Sequence, residues 1–287
     1  MQTQSPPQKS EQTDPEKSPK NPPKTHQAIG DRMKSYEKSS RTHLDPSLPV
    51  IIRIDGHSFS KFTKGLKKPF ENWFHELMVE TTANLMQEFQ VNFGYTQSDE
   101  ITLIYTPSFD KQNRLNDYPF KNQQKLKNAN CFFDARIFNV PSLPEAFSNV
   151  YWRSCYDCVK NSVSMAAYCH FSEKKISGFS TAQRIEALKK EKNIDWNTDF
   201  SNHFKYGTFI KKRAISIDMP EKYKNFKNND QKQNVQRREF IAFSVNLSQK
   251  KFDENVSEFL FSKILNEKFL ANDSPFEITE MYTVDLN

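Results

Sequence analysis

Val50-Ile51-Ile52-Arg53-Ile54 is a short, mostly β-branched run that ends in Asp55-Gly56, the pattern of a strand closing in a turn. A second apolar run, Val91 to Tyr95, breaks at the polar turn Thr96 to Asp99 and resumes from Ile101 to Tyr105, so the pair reads as a hairpin with an acidic tip. Between them, Phe70, Trp73, Phe74, Leu77, Met78 and Leu85 recur at helical spacing and predict one apolar face, assigned to the core. Pro69 would start that helix, where its missing N–H is harmless. The predicted order is strand, helix, strand, strand.

Phe132 to Val140 predicts a fourth strand, with Arg136 at its middle. A long helix is expected from about Pro144 to Phe171. Arg153, Asp157, Lys160, Asn161 and Ser164 would line one stripe of it, either a salt-bridged solvent face or a polar face turned toward nucleotide or RNA. Thr181 to Lys192 predicts another helix, closed by Ile194-Asp195-Trp196-Asn197. Thr208 to Met219 and Arg238 to Leu247 predict strands joined by a flexible basic loop. A last helix is expected near 252–270, with Phe252, Val256, Phe259, Leu260, Ile264 and Phe269 on one side. Gly30 to Glu37 predicts a short helix charged on one side. There is no internal repeat, and six glycines form neither a P-loop nor a dinucleotide fingerprint.

The element order carries a consequence for chemistry. A strand–helix–strand crossover leaves its two strands parallel, so strands 50–54 and 91–95 end at the same edge of the sheet. In a split βαβ, ferredoxin-like sheet the third strand pairs with the first. Asp55 and Asp99-Glu100 then share one small area, and like charges that close cost several kcal/mol unless a proton or cation intervenes. A divalent metal answers that, and a pair of Mg²⁺ ions would align a nucleoside triphosphate. Read singly, Asp-Gly is an ordinary turn and an acidic hairpin tip is ordinarily solvated. Lys61, Lys64, Lys67 and Lys68 and the amides and hydroxyls of 57–63 supply a phosphate-facing loop, or a wet one.

Composition adds partners more than fold. Mean hydropathy is −0.80, with much of the polarity in the first 45 residues and in 221–236. No apolar run is long enough to span a bilayer, and the Pro-, Ser-, Lys- and Gln-rich N-terminus lacks a secretory core or a presequence pattern, so residues 1–28 are expected to be a disordered tail. The expected location is cytoplasmic or mitochondrial, with no clear targeting signal. The net charge is +6, but residues 201–251 hold twelve Lys/Arg against four Asp/Glu. Phe204, Tyr206, Phe209, Tyr223 and Phe226 interleave with them, which suits either a nucleic-acid backbone or a solvated lysine-rich loop. Cys155 and Cys158 form a C-x-x-C, but on a helix Cys155 and Cys169 stand about 21 Å apart at ~1.5 Å per residue. One zinc ion cannot reach both, so reduced, half-buried thiols are expected for Cys131, Cys155, Cys158 and Cys169.

The motifs in order resemble one family. Gly-Asp-Arg-Met-Lys-Ser-Tyr-Glu (30–37), Arg-Ile-Asp-Gly with Phe59, Lys61, Phe62 and Thr63, Lys68-Pro69, Tyr95 with Gln97-Ser98-Asp99-Glu100, Phe133-Asp134-Ala135-Arg136, Asp157 with Asn161-Ser162, His170-Phe171-Ser172 with Lys174, and Asp195-Trp196-Asn197 are similar to the tRNA(His) guanylyltransferase family over roughly residues 29–213. The resemblance implies an α+β, polymerase-like palm, followed by a C-terminal α+β extension over 214–287. It implies a nucleotidyltransferase adding nucleotides to the 5′ end of tRNA in the 3′→5′ direction. Asp55, Asp99 and Glu100 would be catalytic, with Asp55, the Gly56 carbonyl and Asp99 binding two Mg²⁺. Loop 55–60 (Asp55, Gly56, His57, Ser58, Phe59, Ser60), Lys68, Ser98, Asp99, Asn161 and Lys174 would hold GTP or ATP. It further implies tRNA as partner, no membrane and a homo-tetramer.

The chain departs from that pattern in places. Asp157-Cys158-Val159-Lys160-Asn161-Ser162 resembles the tRNA 5′-end repair branch rather than the tRNA(His)-specific one. His57 stands where the family usually has Arg. Trp152-Arg153 lies one residue farther from Asp157 than expected, a spacing that would leave Arg153 facing elsewhere. Segment 106–130 looks shortened. The alternatives are a catalytically impaired tRNA-binding relative that keeps the palm and, more distantly, a palm-fold cyclase acting on nucleotides alone.

Overall fold

The computed structural model of the chain describes residues 44–66, 68, 71–107, 132–218 and 234–286. Its strands are β1 (Val50–Gly56), β2 (Phe93–Gln97), β3 (Glu100–Tyr105), β4 (Phe133–Asn139), β5 (Thr208–Asp218), β6 (Asn234–Val245) and β7 (Ile278–Val284). They form one sheet in the order β4-β1-β3-β2-β5-β6-β7. β3 is antiparallel to both β1 and β2, so those two strands are parallel to each other, joined by helix α1 (Asn72–Glu88). β4 pairs antiparallel with β1 along its whole length, as a largely exposed edge strand. The split βαβ arrangement expected from the pattern is present, and the fold is an α+β, palm-like one.

Both sheet faces are covered. On one, Phe74, Met78, Val79, Ala83 and Met86 of α1 pack on Ile101, Leu103, Ile210 and Ala242. Gly94 makes that approach possible, because a Cβ there would stand 2.5 Å from Met86 Sδ. On the other, Ile51, Phe93, Tyr95 and Ile104 pack with Phe209 and Phe243 beneath helices α2 (Leu143–Trp152) and, farther along, α6 (Glu254–Phe261). Helix α3 (Cys158–His170) continues α2 through a five-residue π-helical turn, Arg153–Asp157. Its inner side meets α4 (Thr181–Lys192) and α5 (Asn202–Tyr206) through Ala166, Ala167, Leu188 and Phe204.

Several expectations are corrected. Helix α1 begins at Asn72, and its buried stripe runs through Phe74, Met78, Thr82 and Met86, whereas Trp73 and Leu77 are exposed. Six apolar residues at helical spacing made a stripe wider than one contact surface can cover, and the sheet selected one side. The expected helix 252–270 is broken: α6 stops at Phe261, and Leu265 pairs with β5 through its N–H to the Lys212 carbonyl at 2.7 Å. A short 3₁₀ turn then spans Glu267–Leu270. Phe259, Leu265 and Phe269 all reach the core, so the apolar spacing was real but served two segments. β7 was not anticipated. Its register shifts against β6 between Ala242 and Ser244, and Glu280 has φ +53°, so alternation is lost where a strand signal would have stood. β6 starts at Asn234, four residues before the expected strand. The boundary expected after residue 213 falls inside β5, which carries the sheet from the palm into β6 and β7. The expected tail, the helix at 30–37, most of segment 106–130 and the loop 219–233 lie outside the described residues.

Candidate active site

The site is built at the sheet end where β1 stops. Strand alternation puts Arg53 and Asp55 on the face that Ile51 buries, the side carrying the long helix. The register then sets Asp55 opposite Glu100, and the Gly56 N–H donates to the Asp99 carbonyl at 3.1 Å. Ser98, at the hairpin tip, has φ +56°, a left-handed conformation that lets two residues close β2 onto β3. A Cβ at Gly56 would stand 2.7 Å from Asp99 Oδ2 and 2.4 Å from the Phe59 ring, so the close approach of the Asp99 carboxylate depends on that glycine. The three acidic side chains singled out in the sequence are brought to one rim.

Their charges are handled differently from the expectation of an acidic trio needing a cation. Glu100 is already paired: Arg53 Nη2 lies 2.7 Å from Oε2, and Arg153 Nη1 lies 3.1 Å from Oε1. Arg53 also reaches Asp55 at 3.1 Å, and Arg153 reaches Asp157 at 2.8 Å. Burial pushes the Glu100 carboxyl up, against the pull of the two guanidinium groups. Burial acts to lower the Arg53 guanidinium, but the hydrogen bond and charge of Glu100 carry it upward. The Asp99 carboxyl is also raised, first by burial and further by the charge of Asp55. Asp55 is the open member, its side chain 46% exposed.

Arg153 is thus corrected from facing elsewhere to facing the site. Arg153 and Asp157 stand four residues apart across the π-helical turn and share one side of the helix, as the expected polar stripe requires. Sequence reasoning also passed over Arg53 as a charge partner, although its position two residues before Asp55 on a strand places both on one face.

A cleft of about 640 Å³ opens over this rim, lined by Asp55, Lys68, Ser98, Asp99, Asn161 and Tyr168 among others. A side recess of about 230 Å³, sharing Lys68, Ser98 and Asp99 with it, is walled by Phe59, Ser60, Phe74 and Met165. Seven of the expected nucleotide-binding residues therefore line these two spaces, and Gly56 packs against Asp99. His57 does not line them: its ring faces Asp134 Oδ2 at 3.3 Å, and its N–H donates to the Phe132 carbonyl. Ser58 and Lys174 line neither space, Lys174 being exposed on the helical turn Glu173–Ile176. Arg53, Gln97, Met165 and Tyr168 line the spaces without having been named as site residues.

Among the described residues, no group of three or more His, Cys, Asp or Glu side chains forms a metal-ligand cluster. Beside the paired Glu100 stand Asp99 and the half-exposed Asp55, which Arg53 also touches, together with the Gly56 carbonyl. These are hard oxygen donors, the kind that suit Mg²⁺ completed by water and phosphate. Cys155, Cys158 and Cys169 are free thiols outside the cleft lining, and burial pushes the Cys155 thiol up to about 11 and Cys158 higher still.

Residues 30–127 match the family model described as tRNAHis guanylyltransferase. An uncharacterized protein of Acanthamoeba polyphaga mimivirus is 29% identical over 298 residues, covering 88% of this chain and 97% of its own. A probable tRNA(His) guanylyltransferase of Drosophila melanogaster is 27% identical, over 64% of this chain and 73% of its own. A bacterial tRNA(His) guanylyltransferase-like protein, solved in complex with ATP, superposes with a TM-score of 0.53 at 31% identity, covering 64% of this chain and 88% of that one. This chain belongs to the tRNA(His) guanylyltransferase family. Membership in the tRNA(His) guanylyltransferase family makes it a tRNA guanylyltransferase-like nucleotidyltransferase. No helix among the described residues is long and apolar enough to cross a membrane.

Proposed function

We propose that this protein extends the 5′ end of tRNA in the 3′→5′ direction, with Asp55 and Asp99 as the residues that hold catalytic Mg²⁺. The observation that carries the reading is the placement of Asp55 and Asp99 on one rim of a nucleotide-sized cleft, with Glu100 neutralised beside them by Arg53 and Arg153. When bound, two Mg²⁺ ions would activate the attacking oxygen and stabilise the leaving pyrophosphate.

The chain's own residues divide the remaining work. Lys68 supplies positive charge to the triphosphate from the cleft wall, and Ser98 and Asn161 offer polar contacts there. Phe59, Phe74 and Met165 give the recess an apolar wall suited to the nucleotide's base. In the first step a 5′-phosphate oxygen of the RNA attacks the α-phosphorus of ATP or GTP and pyrophosphate leaves. In the second, the 3′-hydroxyl of the incoming nucleotide attacks the activated 5′-phosphate and the nucleoside monophosphate leaves, its proton passing to solvent. The resemblance of segment Asp157 to Ser162 to the repair branch supports 5′-end repair of truncated tRNA over action confined to tRNA(His).

The test is incubation of the protein with Mg²⁺, labelled nucleoside triphosphate and 5′-truncated tRNA. Extension that disappears in Asp99→Ala is expected. Salt-sensitive tRNA binding with no extension by the wild type would instead support a catalytically impaired tRNA-binding relative.

A further inference from the structure

We propose that Tyr168, backed by Arg184, is a stacking platform for the base of the RNA's 5′-terminal nucleotide, an inference that rests on the nucleotidyltransferase reading of the cleft.

Asp157, Asn161, Ser164 and Tyr168 recur at i, i+4, i+7 and i+11 along the long helix, and all four line the cleft. The stripe therefore runs from the acidic rim to an outer end with different chemistry. At that end stands an aromatic ring, 49% exposed, outside the core clusters of the described residues: the helix buries Ala166 and Ala167 and is followed by the buried Phe171. Arg184 arrives from α4, with its guanidinium carbon 5.6 Å from the Tyr168 ring centroid. Its Nη1 donates to Ser164 Oγ at 2.5 Å, and that hydroxyl donates to the Lys160 carbonyl at 2.6 Å. The cation is thus tied to the same helix that carries the ring. A cation beside the ring also suits the phosphate that accompanies a base.

An aromatic face with a neighbouring cation selects a nucleobase without selecting its sequence, because every base has a π-face. The source of the base follows from the two spaces. The recess beside Ser98 and Asp99 is small, and its apolar wall of Phe59, Phe74 and Met165 suits the base of a bound triphosphate. Tyr168 lies at the open end, where a ligand can stack while the rest of its body stays outside. The 5′ end of an RNA meets that description and a free nucleotide does not require it.

The experiment uses a 5′-monophosphorylated, truncated tRNA carrying 2-aminopurine at its 5′ end, followed by fluorescence and by extension kinetics with the full chain. Quenching on binding to the wild type is expected. Tyr168→Ala should abolish it and raise KM for the RNA about tenfold or more, with KM for the nucleoside triphosphate changed less than about twofold. Tyr168→Phe should restore both, and Arg184→Gln should fall between. A second arm uses 2-aminopurine riboside triphosphate, whose quenching should survive in Tyr168→Ala. Loss of that second signal instead of the first would assign the platform to the free nucleotide and overturn the proposal. Undiminished RNA affinity in Tyr168→Ala would overturn it as well. Quenching of the RNA probe without any extension by the wild type would keep the platform and overturn the catalytic reading.

Discussion

Arg153 and Glu100 meet where the long helix crosses the hairpin tip, Nη1 lying 3.1 Å from Oε1 and 3.2 Å from Oε2. Their side chains are 9% and 14% exposed, so this is a desolvated pair. Removing one partner of such a pair leaves an uncompensated charge, at a typical cost of ~3–5 kcal/mol. Here Arg53 still holds the same carboxylate, which lowers the expectation for Arg153→Met to about 1–3 kcal/mol in denaturant unfolding. A double-mutant cycle with Glu100→Gln should show coupling of at least about 0.5 kcal/mol. Strictly additive effects would show that the two residues are neighbours without being partners.

Gly56 controls the position of the Asp99 carboxylate. A methyl group there would meet both the Phe59 ring and Asp99 Oδ2 well inside contact distance. Gly56→Ala is expected to cost about 1–3 kcal/mol of stability through overpacking. It should also reduce kcat for 5′ extension by about tenfold or more, since a carboxylate misplaced by roughly 1 Å loses about 10²-fold. Steady-state kinetics on the folded variant measure this, and a wild-type kcat would show that Asp99 does not need its present position.

Lys211 sets an alkaline signature. It is fully buried, with Nζ donating to the carbonyls of Leu260 and Ser262 at the end of α6, and burial lowers its pKa from 10.5 to about 7. The unfolded chain then holds more protons than the folded one between those values. The penalty is fully present below pH 7, and stability rises as pH climbs from there toward 10.5. Chemical unfolding of the wild type from pH 7 to 9 should show this rise relative to Lys211→Met. Parallel pH curves for the two proteins would remove the lysine from the account.

Asp99 should show an opposition between stability and function. Its folded-state pKa is raised, so its contribution to stability is present below the unfolded pKa and is lost as pH rises through the folded one. At neutral pH the ionised carboxylate is a liability in the metal-free protein. Asp99→Asn is therefore expected to raise the metal-free Tm, by about 1–3 °C, while abolishing extension. A lowered Tm at neutral pH would show that Asp99 serves the fold.

Much of the palm was legible because its signals are local. The β-branched run into Asp55-Gly56, the polar tip at Thr96 to Asp99 and the apolar recurrence of α1 fixed a topology that could bring Asp55, Asp99 and Glu100 to one rim. What stayed hidden depended on pairs formed across the fold. The arginines that neutralise Glu100 come from β1 and from a π-helical turn; helical spacing put Arg153 on the polar stripe, but comparison with the family's motif spacing turned it the wrong way. Trp73 and Leu77 read as core because helical periodicity gives a face without saying how much of it the sheet will cover. The end of α6 was missed because its stop comes from the distant Lys211 ammonium and from Leu265 joining β5, with no local breaker to announce it.

The central claim is that Asp55 and Asp99 act on the same divalent ions. Isothermal titration of Mg²⁺, at saturating non-hydrolysable GTP, into the wild type, Asp55→Asn, Asp99→Asn and the double variant tests it most directly. Each single variant should lose affinity by about tenfold or more, with the double variant losing little beyond either one, as expected for ligands of a shared site. Wild-type affinity in both single variants would contradict the claim.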